Sequence, residues 1–173
     1  MARAQDKRVL VVEDEPDVRM FLQTVLEDAG FQVLTAADGE IAWRMIQEYR
    51  PDFISLDLIL PKKSGHRLLK DLRQDPELKK IPVLIVTAHA DDELGRDDPE
   101  NVLNSFVAEG PGRLLTKPVK PIDFVRCVQD ALGVEEGEGV EARLTLKDQL
   151  RSMMAGADPE ALQAAMKSLR EKS

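Results

Sequence analysis

The sequence predicts an α/β fold in which a five-stranded parallel sheet is covered by helices on both faces. Three observations carry that prediction. Five short apolar runs, Val9 to Val12, Val33 to Ala36, Phe53 to Leu56, Val83 to Val86 and Leu114 to Leu115, recur along the chain. Longer stretches of helical period separate them. The runs are apolar throughout rather than alternating, as strands buried on both faces must be.

The helices follow from spacing and punctuation. Val18, Phe21, Leu22, Val25 and Leu26 repeat at helical intervals after Pro16, which suits a first helical turn, and Gly30 supplies the stop. Ile41, Ala42, Met45 and Ile46 form the next stripe, on which Trp43 is expected to pack. Ser64 is a fitting N-cap for a helix carrying Leu68, Leu69 and Leu72. Asp98 and Pro99 precede Val102, Leu103, Phe106 and Val107, and Ile122 to Leu132 gives the last helix of the domain.

A chain of 173 residues with 43% hydrophobic content suffices for one such domain and leaves an appendage. The division expected is a domain over 6–133, an acidic, glycine-containing linker over 134–142 (VEEGEGVEA), and a helical tail over 143–173. In the tail, Leu146, Leu150, Met153 and Met154 share one helical face. After Gly156, Ala161, Leu162, Ala165, Met166 and Leu169 share another, and stripes this short must pack on something larger.

A net charge of -8 without a basic stripe argues against gripping nucleic acid phosphates or an anionic membrane. The start, MARAQDKRVL, carries no long apolar segment, so neither a signal peptide nor a membrane span is expected, and the location read from this is cytoplasmic. Cys127, with Val125 and Val128 as its apolar neighbours, reads as a small core residue. His66 and His89 lack metal-ligand spacing, and the Lys62, Lys63 pair reads as a solvated loop.

One run breaks the apolar rule. FISLDLILP carries Asp57, and burying a lone carboxylate is costly. The aspartate falls at the carboxyl end of its strand, the edge where open α/β sheets bind ligands. Glu13 and Asp14 follow VLVV at the same edge, Thr87 ends VLIV, and Lys117 follows the last strand. Singly, each has a bland reading as a solvated cap, a strand residue or a surface lysine. Together they are what aspartyl phosphorylation needs, because a carboxylate nucleophile approaching a phosphoryl group must be relieved of charge repulsion. Asp14 and Asp57, with Glu13 directly or through water, offer the oxygen ligands that Mg2+ prefers. Lys117 and the Thr87 hydroxyl can serve phosphoryl oxygens.

VLVVEDE, DLILPKKSG, VLIVTA and TKP, in that order, resemble the receiver domain of two-component response regulators, the CheY-like family, over roughly residues 6–133. The resemblance implies a flavodoxin-like doubly wound sheet of order 2-1-3-4-5, Asp57 as phosphoacceptor, Asp14 and Glu13 as the acidic metal site, and the Ile59 backbone carbonyl as a further Mg2+ ligand. It implies Lys117 and Thr87 as the phosphoryl-binding and switch residues, and a cis bond before Pro118. A sensor histidine kinase or histidine phosphotransfer protein is the implied phosphate source. The domain would catalyse only its own phosphorylation and dephosphorylation.

Two departures concern output. The family usually has Tyr or Phe three residues before the lysine, where this chain has Leu114, and the acidic segment Asp91 to Glu100 is longer than the family norm. They keep open a degenerate receiver that acts as an interaction module without phosphorylation. An aspartyl-nucleophile phosphatase resembling the haloacid dehalogenase group is disfavoured, since Ile59 stands where that group needs its second acid. The tail does not resemble a DNA-reading output domain. It is expected to mediate self-association or partner docking, unless it begins a longer output region.

Overall fold

The computed structural model describes residues 3–88, 113–135, 145, 146, 149 and 150. Its strands are β1 (Arg8–Val12), β2 (Gln32–Ala36), β3 (Phe53–Leu56), β4 (Val83–Thr87) and β5 (Arg113–Thr116). All pair in parallel, in the order β2-β1-β3-β4-β5. The α-helices that cover the sheet are α1 (Pro16–Asp28), α2 (Gly39–Tyr49), α3 (Gly65–Gln74) and α4 (Pro121–Leu132).

Alternate strand residues feed two cores, which explains runs that are apolar at every position. Val9 and Val11 of β1 and Leu84 and Val86 of β4 pack with Leu22, Leu26, Phe124 and Val128, so α1 and α4 cover one face. Leu10 and Val12, with Val83 and Ile85, pack against Ala42, Ile46, Leu68 and Leu72, so α2 and α3 cover the other. Helix starts agree with the sequence signals. Pro16 opens α1, and the Ser64 side chain accepts the Arg67 N–H at the start of α3. Gly30, at φ 95°, follows the end of α1 in a conformation costly for any other residue. Trp43 and Cys127 are partly buried against their respective cores.

Val134, the first residue assigned to the linker, is buried against α1 and α4, so the packed region runs past Gly133. The predicted helix after Asp98 with Phe106, the acidic segment Asp91 to Glu100, His89, and most of the linker and tail lie outside the described residues. Thr145, Leu146, Gln149 and Leu150 are helical.

Candidate functional site

The parallel ladders continue one residue beyond the strand ends, and this fixes the backbone of the site. The Glu13 N–H donates to Ala36 O (3.0 Å), the Asp57 N–H to Val12 O (3.0 Å), and the Lys117 N–H to Thr87 O (2.9 Å). Because β1 lies between β2 and β3, and Val12 faces Leu56 in register, Glu13 and Asp57 emerge side by side. β4 and β5 deliver Thr87 and Lys117 to the same edge. Thr87 is fully buried there.

The side chains converge on one ammonium. Lys117 Nζ lies 2.9 Å from Glu13 Oε2, 3.0 Å from Asp57 Oδ2 and 3.9 Å from Glu15 Oε1. Asp57 Oδ2 is thus held by the lysine, while Asp57 Oδ1 accepts the Ile59 N–H at 3.1 Å. Asp57 is 6% exposed and Glu13 only 1%. Burial is the largest influence on Glu13. Lys117 pulls its pKa back, the Asp57 charge pushes it up again, and the result is about 7. Burial also works against the Lys117 ammonium, but its contacts with Glu13 and Asp57 outweigh that cost and hold its pKa above the ordinary lysine value.

Asp14 is exposed, and one carboxylate oxygen from each of Glu13, Asp14 and Asp57 falls within a cluster 4.8 Å across. Three carboxylates against one ammonium leave the site over-supplied with negative charge. The Asp57 charge adds to the burial that raises the Glu13 pKa. Clustered hard oxygen donors short of positive charge fit Mg2+. The Lys117–Pro118 bond is cis. The Ile59 side chain is exposed at 56%, and Leu114 is half-buried against the core under α2 and α3.

Some residues at the site escaped the sequence reading. The Arg19 guanidinium donates to Glu13 O (2.8 Å) and Asp14 O (3.2 Å), pinning the acidic turn from the first turns of α1. Glu15 brings a further carboxylate toward Lys117 and donates its N–H to Glu13 Oε1 (3.3 Å). Its place in VVEDEP was the available signal; Arg19 had none, since its targets are backbone carbonyls. The expectation of a solvated Lys62, Lys63 loop agrees with Lys62, whose side chain is 58% exposed, and needs correction for Lys63. The Lys63 side chain is 15% exposed, ion-paired with Asp71 and 4.4 Å from the centre of the Trp43 ring, and Lys62 reaches Asp38 at 3.1 Å. Asp71 and the Trp43 ring, on neighbouring helices and invisible in the local sequence, draw Lys63 down.

Comparison with known proteins gives a consistent picture. The model of the family described as response regulator receiver domain matches residues 9–129. The phosphate regulon transcriptional regulatory protein PhoB of Escherichia coli (strain K12) is 33% identical over 159 residues, which is 88% of this chain and 66% of PhoB. The chain therefore spans just under two thirds of that relative. Among solved structures, the chemotaxis protein CheY4 of Vibrio cholerae is 30% identical with a TM-score of 0.60, covering 76% of this chain and 100% of that one. The receiver domain of the sensor histidine kinase PA1611 from Pseudomonas aeruginosa PAO1 was solved with a magnesium ion coordinated in its active site cleft. It is 29% identical with a TM-score of 0.62, covering 73% of this chain and 98% of that one.

Proposed function

The chain belongs to the response regulator receiver domain family, and from that premise we propose that it accepts a phosphoryl group on Asp57 within a two-component phosphorelay and switches protein–protein interactions in response. The observation that carries this reading is the Lys117 ammonium, which lies within 3.0 Å of both the Asp57 and the buried Glu13 carboxylates. A carboxylate held beside a cation and two further acids is a nucleophile in a site built to gather positive charge.

In the proposed step an Asp57 oxygen attacks the phosphorus of the donor, an O–P bond forms, and the bond to the donor nitrogen or acyl oxygen breaks. Lys117 offsets charge on the phosphoryl oxygens as they approach, and Thr87 donates its hydroxyl to one of them. Glu13, Asp14, Asp57 and the Ile59 carbonyl would hold Mg2+, which when bound neutralises the carboxylates and the phosphoryl oxygens. Water attacking phosphorus later returns Asp57 to its carboxylate. The domain so acts on itself and is a switch rather than a metabolic enzyme.

The phosphate source proposed is a sensor histidine kinase or histidine phosphotransfer protein. A cavity of about 320 Å³ opens beside the site, with apolar walls from Val18, Phe21, Leu22, Pro118 and Val119 and with Glu15 and Lys117 also lining it, and it suits a partner surface that is mainly apolar. The location proposed is cytoplasmic; no described helix is long and apolar enough to cross a membrane. PhoB is named a transcriptional regulatory protein, yet the chain's net charge of -8 and the apolar stripes of its tail favour self-association or partner docking over direct contact with nucleic acid. Leu114 favours a second reading, the phosphorylation-independent interaction module, because no aromatic ring stands where the family's switch uses one.

Intact mass after incubation with acetyl phosphate, with and without Mg2+, separates the two. The receiver reading expects a phosphate-sized gain that requires Mg2+ and disappears in Asp57→Asn. A folded, Mg2+-binding protein that gains no phosphate from acetyl phosphate or from a histidine phosphodonor belongs to the second reading.

A further inference from the structure

We propose that Asp38, Gly39 and Lys62 are positioning residues for the phosphoacceptor: the N-terminus of α2 clamps the loop 57–64 and so sets the geometry of Asp57 and Ile59. This rests on the functional reading above for its catalytic consequence, and on contacts alone for its geometry.

The loop matters because its own backbone holds the acceptor. The Ile59 N–H donates to Asp57 Oδ1, so any shift of the loop turns the carboxylate. From below, α3 presses on the loop. The Gly65 N–H donates to Leu58 O (3.0 Å), and a Cβ at Gly65 would stand 2.6 Å from Asp57 O and from Leu58 Cα. From the side, α2 closes on the other end. A Cβ at Gly39 would lie 1.9 Å from Lys63 O, so only glycine lets helix and loop backbones touch there.

The clamp is fastened by a residue in an unusual conformation. Lys62 has φ 65°, a left-handed backbone rare for a side-chain-bearing residue. That twist accompanies the contact of its Nζ with Asp38 Oδ2 at 3.1 Å. Asp38 is buried and caps α2, its Oδ1 accepting the Ile41 N–H at 2.8 Å. One carboxylate thus serves helix and loop together. The next residue reinforces the fastening, since Lys63 lies over Trp43 and pairs with Asp71 of α3. Beyond these contacts the loop borders an open cavity of about 620 Å³ lined in part by Trp43, Arg44 and Arg67. A released loop would have room to move.

The test compares Gly39→Ala, Asp38→Asn and, as a control on an exposed pair, Glu77→Gln with wild type. Asp38→Asn keeps a capping acceptor but loses the charge facing Lys62. Three readouts are taken well below the unfolding temperature: the amide resonances of Asp57 and Ile59, Mg2+ affinity by calorimetry, and the phosphorylation rate with acetyl phosphate at saturating Mg2+. A merely structural role lowers the unfolding temperature and leaves all three unchanged. The clamp expects shifted amides, Mg2+ binding weakened several-fold, and phosphorylation slowed roughly tenfold or more in Gly39→Ala and about threefold in Asp38→Asn, since small misplacements are costly. Folded Gly39→Ala with wild-type amides and Mg2+ affinity would overturn it. If Gly39→Ala does not fold, Asp38→Asn decides on the same readouts. If wild type takes no phosphate from acetyl phosphate or from a histidine phosphodonor, the functional reading fails, while amide shifts and Mg2+ affinity still judge the clamp.

Discussion

Replacing Glu13 by Gln should stabilise the metal-free protein at neutral to alkaline pH, although it removes an ion pair. Glu13 is buried with a folded-state pKa of about 7 against an ordinary value of 4.5. Between those values the folded state keeps a proton that the unfolded chain has released. Stability therefore falls as pH rises from about 4.5 to 7 and is level above that. The full difference of pKa corresponds to at most about 3–4 kcal/mol at about 1.36 kcal/mol per unit. Gln, nearly isosteric and never charged, escapes that cost but forfeits the ion pair with Lys117, which keeps Asp57 as its partner. The net gain expected is about 1–2 kcal/mol at pH 8, shrinking toward zero or below at pH 5. Urea unfolding of wild type and Glu13→Gln at pH 5, 6, 7 and 8 in EDTA measures it. Saturating Mg2+ should erase the advantage by stabilising wild type more. A stability difference that is flat with pH, or a variant less stable than wild type at pH 8, would refute the reasoning.

Lys117→Met leaves the Glu13 and Asp57 carboxylates facing each other without their shared cation, and should cost about 2–3 kcal/mol at pH 8 in EDTA and less at pH 5, where protonation relieves the pair; the same urea series reads both. Gly65→Ala places a methyl group 2.6 Å from backbone atoms of Asp57 and Leu58, which cannot yield as side chains do, so thermal unfolding should show a loss of about 1–3 kcal/mol. Asp38→Ala removes the cap of α2 at a cost of about 1–2 kcal/mol near neutral pH. The hydrogen bond from Ile41, aided by the Lys62 ammonium and opposed by burial, holds the Asp38 pKa below the usual carboxylate value. Its contribution is present above that value and lost as pH falls through the folded-state pKa, so the gap between wild type and Asp38→Ala should narrow below about pH 4.

The strands and described helices were legible because the signals are local. β1, β3 and β4 read as unbroken apolar runs, and the helices announce themselves through Pro16, Gly30 and Ser64. The convergence of Glu13, Asp14, Asp57 and Lys117 was legible because strand ends on one edge of a parallel sheet must meet, once the order places β1 beside β3. What the sequence hid were contacts between segments distant along the chain. The Asp38–Lys62 pair, Lys63 against Trp43 and Asp71, and the need for glycine at position 39 all depend on how closely α2 approaches the loop 57–64. No local pattern encodes that distance. Arg19 was hidden for a related reason, since it serves carbonyls, which every residue carries.

The central claim is that the shared ammonium of Lys117 and the neighbouring acids make Asp57, rather than Glu13 or Asp14, the nucleophile. Borohydride reduces an acyl phosphate of aspartate to homoserine, so treating phosphodonor-incubated protein with borohydride and sequencing its peptides by mass spectrometry marks the acceptor directly. The account predicts homoserine at position 57, dependent on Mg2+ and absent from Lys117→Met or strongly reduced there. Reduction product at position 13 or 14, or none in a protein that has demonstrably gained phosphate, would contradict it.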